Sequence, residues 1–170
     1  MKVFEPFKLG NLELKNRMVV SAMVTNYCSP DGRATEKFIA YHEHKSRGGW
    51  GLIITEDYAV TPTAGGFVRL PGLWEDGQIQ SHRELTERVH RAGGKIAAQI
   101  YHAGRETSSA VTGVQPVAPS PVKEPSMPET PRELTVEEIH ELVEQFGDCA
   151  RRAREAGFDA VEVHGDHPEH

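Results

Sequence analysis

The densest group of reactive side chains is the last ten residues, "VEVHGDHPEH". There His164 and His167 follow a short apolar run, with Asp166, Glu169 and His170 close behind. Two imidazoles beyond a strand can donate hydrogen bonds to a carbonyl oxygen and stabilise charge developing on it. With a third ligand from Asp166, Glu169 or His170 they can instead hold a metal, although Pro168 makes a poor frame for a rigid site. A solvated tail is the third reading. A second candidate is Gln99, set in the apolar run of "AAQIYHAGR". A buried carboxamide left unpaired costs roughly 1–3 kcal/mol, so it needs a partner. It both donates and accepts, which suits the pyrimidine edge of a flavin or a base, or simply the neighbouring backbone. His102 and Arg105 in the following loop can bind anions or stay solvated. In "VVSAMVTN", the small residues Ser21 and Ala22 let backbone approach a flat ligand closely, or merely pack in a core.

The elements that must position these groups alternate strand and helix. Gly10-Asn11 predicts a small hairpin, and Met18–Val20 a short strand. The spacing in "TEKFIAYHEHKSRGG" predicts a helix capped by Thr35 and stopped at Gly48-Gly49. "GLIIT" (51–55) reads as a buried strand. The next helix carries Ile79, Leu85 and Val89 on one face and ends at Gly93-Gly94, and "KIAAQI" (95–100) is the next strand. From Tyr101 to Leu134 the six prolines between Pro116 and Pro131 predict a long loop, which in a compact domain is commonly functional or disordered. Thr135 and Glu138 form a capping box, followed by Ile139, Leu142, Val143, Phe146, Ala150 and Ala153 at helical spacing. Gly157 ends that helix, and "DAVEVH" (159–164) is the fourth strand.

Composition narrows the classes. The 170 residues are 38% hydrophobic and carry a net charge of -6, which argues against nucleic-acid binding. Cys28 and Cys149 lack metal-ligand spacing, the start has no signal core, and no window approaches membrane-spanning length. A cytoplasmic protein with no membrane partner is expected. Alternating strands and helices imply a parallel sheet, either open and doubly wound or a (β/α)8 TIM barrel. No G-x-G-x-x-G follows the first strand, which weighs against a dinucleotide-binding open sheet. Thr55-Glu56-Asp57, Gln99-Tyr101-His102 and His164-His167 all fall at expected strand carboxyl ends, the face where barrel active sites sit. Four βα units make half a barrel.

Taken in order, "FEPFKLGNLELKNRMVVSAM", "GLIITEDYAV", "AAQIYHAGR" and "LTVEEIHELVEQFGDCARRAREAGFDAVEVHG" resemble the Old Yellow Enzyme family of NAD(P)H:flavin oxidoreductases and 2,4-dienoyl-CoA reductases. The resemblance spans residues 3–165 and makes residues 1–170 the amino-terminal half of an FMN-binding TIM barrel. It implies FMN at the strand carboxyl ends, NAD(P)H as reductant, and hydride delivery to an α,β-unsaturated carbonyl or enoyl substrate. It also implies that Ser21, Ala22, Met23 and Val24 lie along the flavin and that Asp57 stands at a flavin contact that is often small. Gln99 would bond the flavin pyrimidine, and His164 and His167 would bind the substrate carbonyl or nicotinamide amide. Val24 departs from the Cys or Thr of many relatives, and Pro168-Glu169 replace the continuation that carries a proton-donating Tyr. Strands five to eight, with their phosphate-binding loops, have no counterpart, so "DHPEH" is expected to be a truncated or frameshifted end. Weak or absent FMN binding and no ene-reductase turnover are expected of such a chain, whose uncovered apolar layer leaves it open to self-association of two halves. A non-catalytic half-barrel assembly module and a metal-binding histidine terminus are the competing expectations.

Overall fold

The computed structural model describes residues 1–165, so His167 and the other residues of the terminal motif beyond Gly165 lie outside the described residues. Strands β1 (Phe7–Leu9) and β2 (Leu12–Leu14) form an antiparallel hairpin, with Gly10 at a positive φ of 57° in its turn. Strand β3 (Val19–Val20) leads through an irregular segment to helix α1 (Glu36–Arg47) and then β4 (Leu52–Ala59). Helix α2 (Ile79–Arg91) and β5 (Lys95–Tyr101) complete the next unit. A short helix α3 (Ser109–Thr112) and two short strands, β6 (Val117–Ala118) and β7 (Arg132–Glu133), interrupt the long connection to helix α4 (Val136–Glu155) and strand β8 (Ala160–Val163).

The main sheet runs β3-β4-β5-β8, and every neighbouring pair is parallel. A doubly wound sheet reverses its strand order at a switch point. Here there is no reversal, and α1, α2 and α4 pack beside one another on a single face. Right-handed βα units that never reverse curl toward closure, as in a barrel. The architecture is a partial (β/α)8 barrel of four strands.

Local chemistry accounts for the helices. The Thr35 side chain accepts the Phe38 N–H, and Thr135 accepts the Glu138 N–H at 3.2 Å while Glu138 accepts the Thr135 N–H at 2.8 Å, completing the capping box. Asp159 pins the start of β8 to β5 by accepting from the Ile96 N–H at 2.9 Å and the Lys95 ammonium at 2.8 Å. The helix-facing core holds Ile53, Tyr58, Ile96, Ala98 and Ile100 from the strands and Phe38, Ile39, Leu85, Val89, Cys149 and Ala153 from the helices. On the opposite face, Leu14 of the hairpin packs on Leu52 and Ala97 and closes the amino end of the half-barrel.

Three expectations are corrected. The second strand extends to Ala59, so Thr55-Glu56-Asp57 lie within it, at an irregularity between Ile54 and Asp57, and not beyond its end. The proline-rich connection carries structure of its own: Val117–Ala118 pair in parallel with Arg132–Glu133, because the prolines fall outside these two short stretches. On α4 the inner stripe is Leu142, Phe146, Cys149 and Ala153, whereas Val143 is 63% exposed. Successive residues are about 100° apart on a helix, which turns Val143 away from its neighbour Leu142.

Candidate functional site

Pairing brings three polar side chains onto one line. Asp57 of β4 is the register partner of Gln99 of β5, which is in turn the partner of Glu162 of β8. Side chains of paired residues share a face, so the row points to the side away from the helices. The same alternation puts Ala97, Gln99 and Tyr101 on that face of β5 and Ile96, Ala98 and Ile100 on the helix side.

Above this row, at the strand carboxyl ends, is a cavity of about 380 Å³, within the size range of small-molecule sites. Ala22, Met23, Val24, Asp57, Gln99 and His164 all line it. Of the described residues singled out by the resemblance, only Ser21 is missing from that wall. Ser21 is exposed, lies on an irregular segment and does not line the cavity. His167 lies outside the described residues. Gln99 and His164 therefore share the inward face.

Gln99 is only 7% exposed. Its Nε2 donates to Glu162 Oε1 at 2.7 Å, and its backbone N–H meets Thr55 Oγ1 at 3.4 Å. His164 follows β8, its backbone N–H donating to the Ile100 carbonyl at 3.0 Å and its ring 6.2 Å from that of Tyr101. Tyr101, Phe67, Ala103 and Met127 add apolar walls. The loop wall is fastened by Gly66, whose N–H donates to the Tyr101 hydroxyl at 2.5 Å, and by the Thr107 hydroxyl, which donates to the Gly65 carbonyl at 2.9 Å. His102 and Arg105 do not line the cavity: His102 Nδ1 accepts the Gly104 N–H at 2.9 Å, and the Arg105 guanidinium lies 3.9 Å from Glu124.

Two residues gain importance that their sequence context did not give them. Glu56 is buried within the β4 irregularity and accepts the Thr25 N–H, tying the cavity segment 22–24 to β4. Burial raises its pKa, although the Thr25 hydrogen bonds oppose that rise. Glu162 is the partner of Gln99. The period of two in Ala160, Glu162 and His164 marks it as facing inward with His164.

No cluster of three or more His, Cys, Asp or Glu side chains with metal-binding geometry occurs among the described residues. Among the same residues no helix is long and apolar enough to cross a membrane. The lining instead fits a flat heteroaromatic ring: small and apolar residues at Ala22 and Val24, one carboxamide and one imidazole, with the carboxyl groups of Asp57 and Glu106 on the same wall.

Residues 2–168 match the NADH:flavin oxidoreductase / NADH oxidase family. The chain is 43% identical over 167 residues to an NADH oxidase of Thermoanaerobacter brockii, covering 97% of this chain and 26% of that protein. It is 38% identical over 168 residues to an NADPH dehydrogenase of Bacillus subtilis, covering 98% of this chain and 48% of the relative. Among solved structures, the old yellow enzyme homologue from Zymomonas mobilis superposes with a TM-score of 0.87 at 34% identity, over 96% of this chain and 48% of that one. Morphinone reductase in complex with tetrahydroNAD gives 0.88 at 36% identity, over 96% and 49%. The chain spans about half the length of several of these relatives and a quarter of another. A parallel half-barrel with its polar cavity at the strand carboxyl ends, matched over nearly all its residues, belongs to the NADH:flavin oxidoreductase / NADH oxidase family, which includes the Old Yellow Enzymes.

Proposed function

We propose that this chain supplies the amino-terminal half of the active site of an FMN-dependent NAD(P)H oxidoreductase of the ene-reductase type. Its substrate class is a small α,β-unsaturated carbonyl or enoyl compound. The observation that carries the reading is the cavity at the strand carboxyl ends lined by Ala22, Met23, Val24, Asp57, Gln99 and His164. Bound FMN supplies two-electron hydride chemistry that no side chain provides.

The chain's own residues bind and orient. Ala22 and Val24 have little side-chain bulk and let the backbone of that segment lie against a ring. Gln99 offers donor and acceptor to a pyrimidine edge. His164 at the cavity mouth donates a hydrogen bond to a substrate carbonyl oxygen and stabilises the negative charge that develops there, with His167 as its partner in that role. Asp57 puts a carboxyl group on the same wall, and a negative charge there opposes growth of negative charge on a bound ring. Phe67, Tyr101 and Met127 give the wall apolar surface for a ring to lie against.

The test is titration of the purified 170-residue chain with riboflavin, followed by flavin fluorescence. Riboflavin carries the ring without the phosphate, and barrel phosphate sites commonly lie after strands seven and eight. Gln99→Leu is expected to weaken binding about tenfold or more, the equivalent of losing a buried polar contact, while His102→Ala leaves it unchanged. Equal affinities for the two variants would remove Gln99 from the flavin site.

A further inference from the structure

We infer that Glu162 is a positioning residue for flavin binding: it fixes the Gln99 carboxamide in one of its two orientations, with the carbonyl oxygen turned to the cavity. The inference rests on the flavin reading of the cavity above. It starts from the 2.7 Å hydrogen bond between Gln99 Nε2 and Glu162 Oε1, made between register partners on adjacent strands. A carboxylate offers only acceptors, so the amide must present its NH2 group to it. Rotating the amide by half a turn would set two oxygens against each other at hydrogen-bond distance. Glu162 therefore selects the rotamer, and a charged acceptor does so more strongly than a neutral one.

The selection decides what the cavity reads. Among the described residues Gln99 Oε1 has no protein partner, while the same side chain lines the cavity. The oxygen is thus offered to a ligand, and the second Nε2 hydrogen lies beside it. A ligand edge that meets this pair must carry an N–H next to a carbonyl, which is the imide edge of a flavin ring. The flipped amide would present its donor first and mismatch that edge. Glu162 itself does not line the cavity, so its effect passes through Gln99. Polarisation by the carboxylate also makes Gln99 Oε1 a stronger acceptor.

A double-mutant cycle on the 170-residue chain separates this from a direct charge effect. Riboflavin affinity is measured for the native chain, Glu162→Gln, Gln99→Ala and the double variant. The Gln99 side-chain amide resonances are followed by 15N NMR in the ligand-free chain. Glu162→Gln keeps the shape of the side chain, and the dispersion of the same spectrum reports whether the variant folds. The expected result is an affinity loss of about tenfold for Glu162→Gln in the native background and none in the Gln99→Ala background, together with a shift of the Gln99 amide protons. The same loss in both backgrounds would overturn the role through Gln99. Tighter binding in Glu162→Gln would also overturn it, since that is the sign of simple repulsion by the carboxylate. An unshifted Gln99 amide would show that the two side chains are not paired. If the amide shifts but none of the four proteins binds riboflavin, the flavin reading of the cavity fails while the pairing stands.

Discussion

The two faces of the same four strands follow opposite rules. The helix-facing side presents Ile53, Tyr58, Ile96, Ala98 and Ile100 with almost no accessible surface. The inward side is closed at its amino end by Leu14, Leu52 and Ala97, and at its carboxyl end it carries Asp57, Gln99, Glu162 and His164 beside the apolar Tyr101 and Ala103. One residue along a strand separates a position that holds the fold from one that serves a ligand. Stability and binding are thereby assigned to alternate residues, and substitutions should affect them separately.

The largest effect is expected on the helix side. Ile96→Ala removes a fully buried side chain and should cost about 2–5 kcal/mol in urea unfolding. A loss below about 1 kcal/mol would mean that the helix face is not the principal core. Acid should act on the same face. His82 is buried with Nδ1 2.8 Å from the Tyr58 hydroxyl and Nε2 3.0 Å from the Gly32 carbonyl. Nε2 must carry the proton to meet a carbonyl, so Nδ1 accepts from Tyr58. Burial lowers the pKa of His82 from 6.5 to about 4 and that of His42 to about 3. The unfolded chain then binds protons that the folded chain refuses, so stability falls as pH drops from about 6.5 toward about 4. Glu56 runs the other way: its raised pKa makes the folded state the better proton acceptor, which offsets part of the fall. Unfolding midpoints at about pH 7 and about pH 5 measure the sum, and a higher midpoint at the lower pH would show that Glu56 dominates.

Leu14→Ala, at the closed amino end of the inward face, should cost about 2 kcal/mol, because its cluster is small and lies at the edge of the fold. Gln99→Leu sharpens the contrast most. It should change stability by less than about 1 kcal/mol, since it trades a hydrogen bond for apolar burial, while abolishing most riboflavin affinity. A large stability loss with affinity retained would reverse the assignment of the two faces.

Most of this arrangement was legible because local chemistry declares itself. The Gly10-Asn11 hairpin, the Thr35 cap, the Thr135-Glu138 box and the stop at Gly157 follow from short-range rules, and each is present. The inward placement of Gln99 followed from its being polar in an apolar run. The β4 irregularity was not legible, because Thr55, Glu56 and Asp57 are compatible with a strand end as readily as with a distortion inside one. The small β6–β7 pairing was hidden by the prolines around it, since short stretches with few hydrogen bonds leave no periodicity. Glu162 escaped notice because its importance comes from a partner 63 residues away. Ser21 was placed with its neighbours by its small side chain and by the resemblance, and an irregular backbone has no period from which to read its direction.

The irregularity in β4 gives the strand one place where its length can change safely. From Ile54 to Asp57 the chain advances three positions while β5 advances two, from Ala97 to Gln99. The supernumerary residue lets Ile54 and Asp57 share the inward face although an odd number of steps separates them. Losing one residue at Thr55 or Glu56 would therefore leave a regular ladder with Asp57 still opposite Gln99 and Tyr58 still against His82 and Phe158. The same loss at Ile53 or Tyr58 has no slack to absorb it and would exchange the faces of the residues on one side of the gap. The two tolerant positions are not equivalent. Glu56 ties β4 to the segment that walls the cavity, whereas Thr55 makes one long contact to the Gln99 N–H. A codon lost at Thr55 is thus the deletion this strand could survive with both its core and its site in register.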